Sequence, residues 1–132
     1  MIAVLDVSAA IEILLKKEKS NKFNELYEEA SWIITPDLYV SEISNVFWKY
    51  YKAGLMSFDD SLQYTEDGIA LIDDFFDSKE LWKEALGEGM KNTHPIYDMF
   101  YAILARRNEA TLITNDKQLA LVCKKLKITF CN

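Results

Sequence analysis

The run His94-Pro-Ile-Tyr-Asp98-Met-Phe-Tyr-Ala-Ile-Leu-Ala105 and, a few residues on, Leu112-Ile-Thr-Asn-Asp116 place two carboxylates on adjoining elements. Pro95 suits a first helical position, where the amide has no partner to lose. Asp98 then lies about a turn inside the helix, where the positive end of the dipole favours its ionised form. Tyr101, Ala102 and Ala105 share its face, and the two alanines let that face approach a sheet closely. Leu112-Ile113-Thr114 predicts a buried strand, with Asn115 and Asp116 at its carboxyl end, where open α/β folds place their sites.

Outward from this centre, strands and helices alternate. Ile2-Ala-Val-Leu5 is a continuous apolar run, as in a strand covered on both faces, and Asp6 ends it. Ser8 is the expected cap of the helix that follows, rich in Ile11, Ile13, Leu14 and Leu15. Ser20 opens a second helix, and Trp32-Ile33-Ile34 reads as the second strand. Thr35-Pro36 predicts a third helix start, carrying Glu42 in its second turn and ending at Gly54. Ser57 with Asp60 resembles a capping box for a helix to about Ile69. Residues 71–77 fit either a continuation of that helix or a short edge strand, and the strand is preferred. Helices over Lys79–Met90 and Lys117–Lys125 and a last strand at Lys127–Phe130 complete the pattern. Such alternation predicts a mainly parallel sheet of about five strands between helical layers.

The 132 residues, half of them apolar, are enough for one domain over residues 1–132 with a layered core. Lys and Arg number 15 against 21 Asp and Glu, a net charge of -6, which argues against a broadly basic nucleic-acid surface. The imbalance is uneven. Ten acids and two lysines fall between Asp59 and Glu88, whereas Arg106, Arg107, Lys117, Lys124, Lys125 and Lys127 follow Ala105. That C-terminal excess, Arg106 and Lys117 in particular, is where a polyanionic partner's backbone is expected. Two cysteines form no disulfide framework and fit no zinc spacing, and no apolar run approaches a membrane span. With no basic leader before the first strand, a reduced, cytoplasmic setting and no membrane partner are expected.

If the first and fourth strands are neighbours, Asp6, Glu42, Asp98 and Asp116 can share one crevice. Oxygen-only ligands of that kind suit Mg²⁺ or Mn²⁺. Each acid also has an ordinary structural explanation: an Asp after a strand often caps a helix, and a Glu in an early turn complements the dipole. Asp98 stands apart because its surroundings are apolar and aromatic. Ser8, Asn115 and Thr114 read first as caps or strand residues, His94 as a turn or N-cap residue, and Asp73, Asp74 and Asp77 as a solvated face. Phe47, Trp48, Tyr50 and Tyr51 cover more than one helix face, so part of the set is expected to meet a partner.

Val-Leu-Asp6-Val-Ser8, Ser41-Glu42, the Tyr97–Ala105 block and Leu-Ile-Thr114-Asn115-Asp116-Lys-Gln-Leu together resemble the PIN domain, and more narrowly the VapC-type toxin ribonucleases of toxin–antitoxin pairs. The resemblance spans essentially the whole chain. It implies a three-layer α/β/α fold and a Mg²⁺- or Mn²⁺-dependent endoribonuclease with Asp6, Glu42, Asp98 and Asp116 as the metal-binding acids. It further implies supporting roles for Ser8, Thr114 and Asn115, a homodimer, and a cognate antitoxin that covers the acidic crevice. A PIN-like RNA-processing or DNA nuclease outside any toxin pair is the nearest alternative. A Mg²⁺-binding phosphoacceptor signalling domain is another, although it wants paired acids after the first strand, and here Leu5 precedes Asp6.

Overall fold

In the computed structural model, which describes residues 1–132, five strands form one parallel sheet in the order β3-β2-β1-β4-β5. The strands are β1 (Ile2–Leu5), β2 (Trp32–Pro36), β3 (Asp74–Phe76), β4 (Thr111–Ile113) and β5 (Phe130–Cys131). Between them run α1 (Val7–Leu14), α2 (Ser20–Glu29), α3 (Leu38–Lys52), α4 (Phe58–Ala70), α5 (Trp82–Asn92), α6 (Ile96–Arg107) and α7 (Lys117–Lys125). Helices α1 to α4 pack together as one layer and α5 to α7 as a second, with α6 lying against β1, β2 and β4. The sheet between the two layers makes the expected three-layer α/β/α arrangement.

β1 is the pivot. The chain leaves it toward β2 on one side, and β4 returns to its other side in the register Ala3↔Thr111, Val4↔Leu112, Leu5↔Ile113. Ala3, Val4 and Leu5 are fully buried because helices cover both faces of the sheet, which explains the unbroken apolar run. The small side chains expected to bring α6 close to the sheet do so: Ala102 and Ala105 are buried outright. On the opposite layer α3 and α4 approach closely at Gly68, where a Cβ would stand 2.3 Å from Ile43 Cδ1. The adjacent Tyr39 hydroxyl donates to the Gly68 carbonyl at 2.7 Å.

Several local expectations change in the tertiary setting. Asp6, not Ser8, caps α1, because the extended backbone of Asp6 lets its carboxylate accept from the Ala9 amide. Thr35 and Pro36 end β2 and do not open a helix. The Thr35 hydroxyl donates to the Leu5 carbonyl at 2.9 Å, and Pro36 tolerates the strand end, where it needs no ladder N–H. Pro95 precedes α6 by one residue, and α5 starts at Trp82 after a 3₁₀ turn at Ser78–Glu80. The preferred strand within 71–77 is present as β3. Its neighbours Asp73 and Asp74 are not merely solvated: Asp73 accepts from the Ile33 amide and Asp74 from the Trp32 indole, tying β3 to β2. β5 begins only at Phe130, since Lys127 has φ 59°, incompatible with a strand.

The aromatic set on α3 divides as its spread suggested. Phe47 is core, while Trp48 and Tyr51 stand out beside Phe58 and Leu62 of α4, lining an apolar groove between the two helices. No helix is long and apolar enough to cross a membrane.

Candidate active site

The carboxyl ends of β1 and β4 lie side by side, so the residues that follow them are neighbours despite more than a hundred intervening positions. Asp6 continues β1 and its amide still donates to the Ile113 carbonyl at 3.2 Å. Thr114, Asn115 and Asp116 continue β4. A hydroxyl net joins the two turns. Ser8 Oγ donates to Asp6 Oδ1 at 2.7 Å and accepts from the Asn115 amide at 2.8 Å. Thr114 Oγ1 lies 3.4 Å from Ser8 Oγ and accepts from the Asp116 amide at 3.0 Å. Ser8, Thr114 and Asn115 thus fix the positions of the two aspartates.

Two further acids enter from the helical layers. Glu42 comes from α3, its Oε1 accepting from the Tyr101 hydroxyl at 2.7 Å. Asp98 sits in the first turn of α6, its Oδ2 2.9 Å from His94 Nε2. All four acids line one open cavity of about 370 Å³, together with Glu12, Lys17 and Asn115. Each is anchored the same way. Asp6 Oδ1 holds the Ala9 amide and Ser8, Asp116 Oδ1 caps α7 through the Gln118 and Leu119 amides, Glu42 holds Tyr101, and Asp98 holds His94. In every case one carboxylate oxygen is tied by a donor of the protein. The structural and functional readings of these acids are therefore compatible, because a cap uses only half of a carboxylate.

The acids disturb one another. Asp6, only 5% exposed, is pushed up from 3.8 to about 6, mainly by burial and further by the charge of Asp98. Hydrogen bonds from Thr114, Ser8 and the Ala9 amide oppose the rise without cancelling it. Asp98 is raised by burial and by the neighbouring Asp116, against the opposing pull of His94. Glu42 is raised by burial and by Asp98, with the Tyr101 hydrogen bond working the other way. Carboxylates under mutual repulsion in a half-buried cavity are an unspent binding potential for a hard cation. No three of them converge closely enough to hold a metal ion by themselves. Mg²⁺ does not demand that, because it keeps several waters and binds through one or two carboxylates plus substrate oxygens.

Tyr101 gives this arrangement a direct test. Tyr101→Phe removes the one hydrogen bond that favours ionised Glu42, so Glu42 is expected to titrate at still higher pH in a carbon-detected NMR titration. The loss of a hydrogen bond to a charged acceptor should also cost the folded protein about 1.5 kcal/mol in denaturant unfolding. Unchanged titration of Glu42 would mean that Tyr101 only fills space.

Not every residue expected at the site is brought there. Arg106 lies at the far end of α6, about 12 Å along the axis from Asp98, and is held by Glu88 at 2.8 Å and Glu84 at 3.1 Å on α5. Arg107 pairs with Glu84 at 2.7 Å. Their charge is already matched. Lys117 is exposed beside Asp116 and lies outside the cavity lining. Conversely, sequence reasoning passed over Glu12, His94 as a partner of Asp98, Tyr101 as a partner of Glu42, and Lys17. The signal for His94 was its spacing of four from Asp98. Glu12 sat on the apolar face of α1, one turn from Ser8, and is 6% exposed with Asn115 Nδ2 at 3.4 Å.

The chain as a whole has similar proteins. The chain is 29% identical over 123 residues to Ribonuclease VapC3 of Pyrobaculum aerophilum, across 89% of this chain and 91% of that protein. Its fold matches the crystal structure of PAE2754 from Pyrobaculum aerophilum with a TM-score of 0.74 at 18% identity, over 92% of this chain and 87% of that one. It also matches VapBC2 from Rickettsia felis, solved bound to a DNA fragment from their promoter, with a TM-score of 0.67 at 17% identity, over 100% and 98% of the two chains. The PIN domain model matches residues 3–125, a span that includes both strand ends and all four acids, and the chain accordingly belongs to the PIN domain family.

Proposed function

We propose that this protein is a divalent-metal-dependent endoribonuclease, a single PIN domain that serves as the toxin of a toxin–antitoxin pair in the cytoplasm. The observation that carries the proposal is the convergence of Asp6, Glu42, Asp98 and Asp116: one oxygen of each is fixed by a hydrogen bond, and all four residues line the same cavity. The names of the relatives, a ribonuclease called VapC3 and an assembly called VapBC2, support RNA as the substrate and an antitoxin as the partner. The apolar groove between α3 and α4, with Trp48, Tyr51 and Leu62 exposed along it, supports a protein partner of the monomer. A homodimer belongs to the same reading.

A bound Mg²⁺ or Mn²⁺ would neutralise charge on the phosphodiester under attack and make a water more acidic. The chain's own part is positioning. Asp6 and Asp116 are rigid because each closes the first turn of a helix, and Ser8 and Thr114 hold the two turns in register. Tyr101 and His94 aim Glu42 and Asp98. The hydroxyls that touch these acids, Ser8 on Asp6 and Tyr101 on Glu42, are engaged in holding them, so direct hydrolysis without a covalent enzyme intermediate is the reading taken. Incubation of the purified protein with tRNA, rRNA and mRNA should give discrete internal cuts with Mg²⁺ or Mn²⁺, and none with excess chelator. Intact RNA under all metal conditions would reject the proposal.

A further inference from the structure

The cavity that holds the acids contains a single cation, Lys17. Its Nζ donates to the Tyr50 hydroxyl at 3.0 Å and stands 5.8 Å from the centre of the Tyr50 ring. It makes no ion pair, although five carboxylates line the same cavity. A tyrosine therefore holds the ammonium at the rim, where its charge remains uncommitted. The backbone is shaped to put it there. Lys16 adopts φ 52° just beyond α1, and the Lys17 amide closes back on the Glu12 carbonyl at 3.0 Å.

Lys17 also lines a second cavity, of about 550 Å³, at the junction of α1 and α2. That cavity is polar throughout except for Ile13, and it adds Lys16, Ser20, Asn21 and Asn24, with Glu18 as its only acid. Lys16 likewise makes no ion pair. The two cavities share Lys17 as a common wall, so the second lies next to the acids along the start of α2. It carries two unpaired lysines and amide and hydroxyl side chains of the kind that bond phosphate and ribose. The basic C-terminal third offers less. Arg106 and Arg107 are neutralised by Glu84 and Glu88, and neither borders the acids.

We propose that single-stranded RNA leaves the acidic cavity over the α1–α2 junction, with Lys17 and Lys16 contacting successive phosphates. This rests on the ribonuclease reading above and adds the substrate's path to it. Lys17 is then a binding residue whose charge offsets the repulsion between a polyanion and the carboxylates. The amide side chains of Asn21 and Asn24 and the position of Lys17 between the two cavities favour the RNA substrate over an acidic protein tail.

The test measures binding of a fluorescein-labelled single-stranded RNA by anisotropy, from about 50 to 200 mM salt, in an Asp98→Asn parent kept in Mg²⁺ to prevent cleavage. Adding Lys16→Gln and Lys17→Gln should weaken binding at low salt by at least about tenfold. It should also lower the slope of log affinity against log salt by about 1.4, two contacts at roughly 0.7 each for a single strand. Lys124→Gln with Lys125→Gln, the same charge change on α7, should leave the slope as in the parent. A slope unchanged by the Lys16 and Lys17 pair, or lowered instead by the α7 pair, overturns the path. If the wild-type protein cleaves RNA while the Lys16 and Lys17 pair has no effect, the path alone is wrong. If the wild-type protein neither cuts nor binds RNA, the ribonuclease reading itself has failed.

Discussion

Asp6→Asn is expected to lower metal-supported RNA cleavage by on the order of 10³-fold while leaving the fold intact. Asn is as good an N-cap as Asp, so its side-chain oxygen can still accept from Ala9 and Ser8. What disappears is the negative charge at the end of β1 and a second oxygen able to hold a cation. A metal contributes several kcal/mol of charge stabilisation in the transition state, and each 1.36 kcal/mol is tenfold in rate. Asp98→Asn and Asp116→Asn should behave similarly. Glu42→Gln should retain more activity, since Glu42 reaches the cavity from α3 and not from a strand end. Single-turnover cleavage, with circular dichroism to confirm folding, decides the matter. A folded Asp6→Asn protein that cuts at the wild-type rate would remove Asp6 from the site.

The same substitution should stabilise the metal-free protein, an outcome opposite in sign to the usual effect of altering a buried residue. Burial lifts folded Asp6 from 3.8 to about 6, so between those values the folded state binds a proton that the unfolded state has lost. Stability is then greatest below about pH 4, falls as the pH rises through about 6, and is flat above that. The penalty at neutral pH is on the order of 3 kcal/mol. Asp6→Asn escapes it, and should be more stable than wild type at pH 7 with the difference vanishing by pH 4. Glu42 and Asp98 are raised in the same direction, so wild type keeps part of the pH slope even without Asp6. Mg²⁺ or Mn²⁺ should stabilise wild type in proportion to saturation and the variant far less. Urea unfolding at pH 4 and pH 7 in chelator, repeated at pH 7 with metal, gives all these comparisons. An Asp6→Asn protein destabilised equally at both pH values would show that Asp6 is only a cap.

Much of this protein could be read along the chain because the signals are local. Ile2–Leu5 and Trp32–Ile34 are strands by their unbroken apolar runs, and the helices start and stop near their caps. The four acids stood out because each falls at the end of an element. The misplacements share one cause. Ser8 and Thr35 are competent N-caps by composition, yet Asp6 was the residue with extended backbone at the right place, and Thr35 had a buried carbonyl at Leu5 to satisfy. His94 reads as a turn residue despite its spacing of four from Asp98, and Tyr101 and Glu12 carry no site signal, because residue type alone does not distinguish a side chain that packs from one that packs and orients a carboxylate. Arg106 illustrates the converse. Its charge was visible, but its pairing with α5 was not.

The sequence by itself determined the alternation of strands and helices, the parallel sheet that alternation requires, and the residue types from which a hard-cation site could be made. Periodicity and capping depend on neighbours within a few residues, so they are present in the chain before it folds. Only the tertiary structure decided that β4 lies beside β1, and with that pairing came everything distinctive about the site. The pairing brings Asp116 to Asp6 and lays Asp98 across them. It buries Asp6 deeply enough to shift its proton. The packing of α5 on α6 likewise decided that Arg106 is paired, and the turn after α1 that Lys17 is the one cation at the cavity. Those outcomes depend on distances between residues far apart in the chain, and burial and charge act through space.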